Sequence, residues 1–230
     1  MKKYELTQNI KKIGNITLHQ IKALQDFGIV KAGTLGGYIE NEDNLSQKGT
    51  AWVYGNAMVH DNAMVHGNAL VYGGAWIYDD AEVGGNAKVF GDARVSGNAK
   101  VFDDAWVCGN ARVSGNAWVG GNATVFGNAE VYRDAIVCGD AEVSGNARVY
   151  GNARVSKINH LFTIGPIDSW NRTITFYRNI ENKISVVSDC FIGSIDEFVE
   201  DVKEDTHGDN EHAKVYELAV ELAKLQIGLS

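Results

Sequence analysis

Proline occurs once in 230 residues against 26 glycines, an imbalance explained by the repeat described below. Basic residues are in deficit: 21 Lys and Arg against 29 Asp and Glu give a formal charge of −8. Duplex nucleic acid and anionic membranes draw non-specific partners through a cationic face, so neither is an expected partner. Cysteine is sparse. Cys108, Cys138 and Cys190 are an odd set without metal-ligand spacing, and they read as reduced thiols with no metal site. The sequence has no secretory leader and no apolar run of about 18 residues. The expectation is a soluble cytoplasmic chain in which the glycosylation sequons at Asn15 and Asn171 are accidental.

What is present, from Ala51 to Val155, is one six-residue phrase: Gly or Asp, Asn or Asp, Ala, any residue, Val, any residue. Its branched aliphatic recurs from Val53 to Val155 in 17 steps of six, hence 18 hexads. Ala and Val stand two apart, so in an extended segment they share a face while the residue between them points away. The Gly-Asn pair tolerates positive φ and supplies a turn. Short strand, sharp turn and repetition predict a parallel β-helix. Three hexads make an 18-residue coil, and six coils stack to roughly 29 Å.

Outward residues fall into columns at a spacing of 18, such as Tyr54, Tyr72, Phe90, Cys108, Phe126 and Ser144. Stacking of like residues accounts for the aromatic columns. Trp52, Leu70, Trp76, Trp106 and Trp118, also outward, add more apolar surface than a monomer needs, and exposed aromatic patches mark interfaces.

With Val53 followed by Ala57 and Val59 by Ala63, the repeat resembles the hexapeptide-repeat superfamily. That resemblance implies a left-handed parallel β-helix of six to seven triangular coils and a homotrimer. Many members are acyltransferases that use coenzyme A or another acyl carrier, with a histidine as general base. The matching candidates here are His60 and His66, which lie on consecutive faces and cannot act as a pair within one subunit. No hexad is interrupted, so no loop exists to close over an acyl donor.

The flanks differ. Residues 1–50 read as an N-terminal cap: a strand at 3–7, then Ile16 to Leu24 as a strand running into a short helix. A first imperfect coil follows from Gly33 to Ile39, set off by an eight-residue step from Leu45 to Val53. The β-helix proper spans 51–156. Residues 157–230 read as a small α+β domain of β-β-β-α-α order, with strands at 160–165, 173–178 and 183–188 and a turn at Gly165-Pro166. Cys190 to Gly193 is a possible continuation of the sheet. Ser194 and Glu197 form a capping box that opens a helix carrying Ile195, Phe198, Val199 and Val202 on one face. A second helix, from Glu211, is expected to bury Val215, Leu218, Ala219, Leu222 and Leu225. The opening residues 3–7, the segment 31–37 and the stretches around Cys190 and His207 are similar to a poorly characterised group. Its members are hexapeptide-repeat proteins of bacteria, phages and prophages, for which no reaction is implied.

Trp170, Arg172, Thr173, Thr175, Arg178 and His207 combine cations, hydroxyls and flat rings on or beside one strand, and such a set can hold phosphate oxygens. Aromatics of a sheet packed under helices, with His207 as a helix cap, would look the same. The leading expectation is a non-enzymatic oligomeric scaffold without cofactor whose C-terminal domain binds a small phosphorylated molecule. The resemblance extends this to a nucleotide-sequestering phage protein in the host cytosol. The alternatives are a coenzyme A-dependent acyltransferase using His60 or His66, and a purely structural spacer.

Overall fold

The computed structural model describes residues 2–167, 171–189, 191–205 and 210–228. Its spine is a β-solenoid of two-residue strands, from β4 (Trp52–Val53) to β21 (Arg154–Val155). Each strand pairs in parallel with the one 18 residues on, so that Lys88 lies opposite Trp106 and Val89 opposite Val107. Three flat sheets result. Every hexad alanine and branched aliphatic is buried, at 0–1% exposure, and together they fill the interior.

The turn position explains which hexads depart from glycine. Gly73, Gly91 and Gly109 sit at φ of 75°, 73° and 69°, and Asp61, Asp79, Asp103 and Arg133 adopt φ of 55–58° at the equivalent place. Such φ values strain ordinary side chains. The aspartates repay this with a hydrogen bond to the next coil: the Asp79 carboxylate accepts from Gly97 N at 2.9 Å, and that of Asp103 from Gly121 N at 2.9 Å. The residue after it builds amide ladders. Asn68 donates to Asn86 and Asn86 to Asp104; Asn98 donates to Asn116 and Asn116 to Asp134. These runs stop at an aspartate because a carboxylate accepts but cannot donate.

At the N-terminal end β1 (Tyr4–Ile13), β2 (Ile16–Ala23) and β3 (Leu35–Ile39) extend one solenoid sheet to nine strands. The helix expected within 16–24 is not formed. Ile16–Ala23 is strand throughout, because antiparallel pairing with β1 and β3 on its two edges overrides the helical spacing of Leu18 and Ile21. β3 pairs in parallel with the first full coil at Tyr38–Met58 and Ile39–Val59, and Leu45 bridges Val65. It is a further coil in which the eight-residue step after Leu45 lengthens the register from 18 to 20.

Trp52, expected on the surface, is wholly buried. The cap covers it, with Tyr4 and Phe27 edge-on to its ring at 6.0 and 5.3 Å. Lys3 is buried beside it, donating from Nζ to the Ala51 carbonyl at 3.0 Å. Burial pushes its pKa down to about 8.

At the other end, β22 (Leu161–Ile167), β23 (Arg172–Arg178), β24 (Ile184–Val187) and β25 (Ile192–Ser194) form an antiparallel sheet in that order, followed by α1 (Ile195–Asp205) and α2 (Asn210–Ile227). Gly165-Pro166, expected as a turn, lies inside β22 where its pairing with β23 shifts register. The Asn179–Asn182 hairpin forms, with the Asn179 side chain accepting from Glu181 N and Lys183 N. The capping box also forms: Ser194 N donates to the Glu197 carboxylate at 2.8 Å, and Glu197 N to Ser194 Oγ at 3.2 Å. Phe198 and Val202 of α1 are buried. On α2, however, the buried residues are Tyr216, Ala219, Val220, Ala223 and Ile227, while Val215, Leu218, Leu222 and Leu225 are exposed. Of the five expected core residues only Ala219 is inside. The helix is apolar over so wide an arc that spacing alone does not choose its inner half.

Candidate functional site

Alternation along β23 decides the fate of the predicted ligand residues, because successive side chains point to opposite faces of a sheet. Thr175 and Tyr177 face the last coil and close it. Thr175 Oγ1 accepts from Arg148 N at 3.0 Å, and Tyr177 Oη donates to the Tyr150 carbonyl at 2.9 Å. Ile174 and Phe176 point away into the helix-covered core. The Arg172 guanidinium lies 5.6 Å from the Tyr216 ring of α2, and Arg178 Nη1 donates to His160 Nε2 at 3.0 Å. Arg172, Thr173, Thr175 and Arg178 therefore do not converge on one ligand position. Trp170, His207 and Cys190 lie outside the described residues.

Thr173 does open on a cavity. It lines a polar cleft of ≈ 240 Å³ between the solenoid and the C-terminal sheet, together with Asn128, Glu130, Asn146, Arg148 and Asp189. Arg148 is held there from two sides, by Asp189 at 2.8 Å and by Glu130 at 3.3 Å. An amide ladder through Asn110 and Asn128 ends at Asn146 on the same cleft. Glu130 also meets Arg112 at 3.8 Å, so two guanidinium and two carboxylate groups alternate along the cleft and its charges are paired among themselves.

His160, read as part of a strand in the sequence, is the buried centre of the junction at 6% exposure. Donors meet this imidazole on both nitrogens: Arg178 Nη1 lies 3.0 Å from Nε2, and Ser156 N donates to Nδ1 at 3.3 Å, with Ser156 Oγ also 3.3 Å from Nδ1. Burial, and then the Arg178 charge, hold its pKa below the ordinary value of 6.5. The unfolded chain therefore binds the proton first as pH falls. Stability is complete above about 6.5 and declines as pH drops towards the depressed native value. The expected result is a melting temperature that falls between pH 7.5 and 5 in the wild type and falls less in His160→Gln. Parallel pH curves for the two chains would rule this out.

The two solenoid histidines differ in access. His60 Nδ1 lies 2.8 Å from the Asp61 carboxylate, and its ring stacks on Tyr78 at 5.5 Å. The carboxylate accepts a hydrogen bond from Nδ1–H, which leaves Nε2 as the ring's acceptor atom, and Nε2 is buried. His66 is half-buried and lies 2.9 Å by Nε2 from Glu82, which also contacts Lys100 at 3.6 Å. Its ring rests over Gly84, where a Cβ would lie 2.5 Å from His66 Cε1 and 2.7 Å from Phe102 Cε1. The absence of a side chain at 84 thus leaves the room that this imidazole occupies. Of the two, only His66 combines an orienting carboxylate with exposure.

A family model described as the YdcK β-solenoid repeat matches residues 51–67, 93–109, 105–121 and 141–157. Over 62 residues the chain is 39% identical to a protein of Escherichia coli K12 named as an uncharacterized acetyltransferase, YdcK. That similarity covers 24% of this chain and 19% of the relative, so the match spans about a fifth of the relative's length. This is a hexapeptide-repeat-like β-helix protein.

Sequence reasoning singled out the solenoid histidines but missed Arg148 and Glu130 in the β-helix and His160 just beyond it. Column sorting at 18 residues would have aligned Arg112, Glu130 and Arg148 as an alternating charge row. The signal for Asp189 and His160 is absent, since both act through contacts made only when the C-terminal sheet docks. Among the described residues no helix is long and apolar enough to cross a membrane.

Proposed function

We propose that this β-helix protein is a self-associating, non-enzymatic scaffold that joins copies along one side and carries the C-terminal domain at its end. The observation that carries the reading is an aromatic strip on that side. Tyr72 and Phe90 stack with ring centres 4.8 Å apart, Trp106 stands edge-on to Phe90 while 43% exposed, and Lys88 covers the Trp106 ring at 4.6 Å. Exposed rings of this kind mark association surfaces. A homotrimer is the arrangement that the hexapeptide-repeat fold favours. Thr175 and Arg178 are engaged in holding the C-terminal domain, so the scaffold reading stands ahead of nucleotide binding. Light scattering on the full chain is expected to give a trimer mass that falls in Trp106→Glu. A monomeric wild type removes the proposal.

A second reading is favoured by the His66–Glu82 pair and by the name of the relative. In it His66 takes the proton of an acceptor hydroxyl or amine as that group attacks the thioester carbonyl of an acyl-coenzyme A. The carbon–sulfur bond breaks and the proton passes to the departing thiolate. Turnover of acetyl-coenzyme A that disappears in His66→Ala, while His60→Ala retains it, would put this reading first. Absence of both turnover and thermal stabilisation by acetyl-coenzyme A would dismiss it.

A further inference from the structure

α2 is apolar on two sides, and only one is used. Tyr216, Ala219, Val220, Ala223 and Ile227 pack inward, while Val215, Leu218, Leu222 and Leu225 stand out at 41, 55, 48 and 78% exposure. The exposed four are spaced three, four and three, the a and d positions of two heptads. A stripe of that spacing fits a facing helix with the same period. Ile158, 63% exposed, adds to the apolar surface on the turn that packs beside α2.

We propose that this stripe is a second self-association surface, in which α2 packs against α2 of another copy. The flanking charges decide between occupants. Lys214, Glu217, Glu221 and Lys224 are exposed on the outer side of the stripe and sum to zero. An anionic membrane recruits an amphipathic helix through a basic flank, and a nucleic acid through a basic surface. A flank whose charges cancel, beside a heptad stripe, suits the same flank on a second copy, and a two-fold arrangement covers the stripe of both chains at once. The stripe exposes on the order of 400 Å², so two copies bury on the order of 800 Å², below the roughly 1,200 Å² of a stable stand-alone interface. The contact therefore gains from copies already held together, which rests on the scaffold reading. Linking two weak sites in this way raises the effective concentration of the second.

The test uses sedimentation of the full chain, comparing wild type with Leu218→Glu/Leu222→Glu, Leu218→Lys/Leu222→Lys and Trp106→Glu. Both α2 variants alter exposed positions and should keep the wild-type melting curve. Each is expected to lose one association step, and mixing the Glu form with the Lys form is expected to restore it. Wild-type mass in both α2 variants overturns the proposal, and so does a loss that mixing fails to restore. Association lost only in Trp106→Glu leaves the scaffold reading standing and the α2 contact refuted. Association lost only in the α2 variants establishes this contact and refutes the aromatic side. Pelleting of the wild type with phosphatidylserine vesicles, without self-association, assigns the stripe to membranes and also overturns the proposal.

Discussion

Trp52→Ala is expected to destabilise the N-terminal end by about 3–5 kcal/mol, the usual cost of removing a fully buried large aromatic. Three rings meet this indole edge-on: Tyr4, Phe27 and Tyr54, at 6.0, 5.3 and 6.4 Å. Without it the cap keeps the strand pairing of β3 but loses its aromatic packing on the first full coil, and Tyr4, whose hydroxyl donates to the Leu45 carbonyl at 2.6 Å, loses its support. A solenoid transmits stability mainly between neighbouring coils. Backbone amides of residues 2–45 should therefore exchange with solvent far faster in the variant, while those beyond about Val95 change little. Uniform acceleration along the chain, or a melting curve equal to the wild type, would refute this account of the cap.

The second large effect is expected at a turn. Gly91 sits at φ +73°, and a Cβ there would lie 2.9 Å from the Gly109 carbonyl oxygen and 3.0 Å from its nitrogen. Gly91→Val combines left-handed strain in a β-branched residue with a backbone clash, and should cost at least about 2 kcal/mol. Gly91→Asp meets the same φ but can copy Asp79, whose carboxylate accepts a backbone N–H from the coil below. It should cost clearly less. Chemical denaturation of both variants checks the order, and an Asp variant no better than Val would show that the observed aspartates owe their place to something other than that hydrogen bond.

The solenoid was legible because its repeat is local. Six residues contain the strand, the turn and the inward pair, and repetition multiplies a weak signal 18 times. The ends were less legible for the opposite reason. Whether Ile16–Ala23 is strand or helix depends on β1 and β3, which offer hydrogen bonds from both edges. Whether Trp52 is outside depends on a cap whose Tyr4 is 48 residues away in sequence. The inner half of α2 is set by the shape of the sheet beneath it. Residue type alone groups the candidate ligand residues on or beside one strand, whereas alternation sends Thr175 to the solenoid and Phe176 to the helices. That alternation was available in the sequence; the docking partner of each face was not.

The 18-residue register of the three sheets also fixes direction. Deleting one whole coil, such as residues 87–104, would leave every column aligned and bring the two ends closer by about 4.8 Å. Deleting a single hexad would instead swing the C-terminal domain by a third of a turn around the long axis, onto a different one of the three sides. The prism is thus a protractor as well as a ruler. Coil number sets the distance between the two ends, and hexad number sets the side of an assembly towards which α2 points.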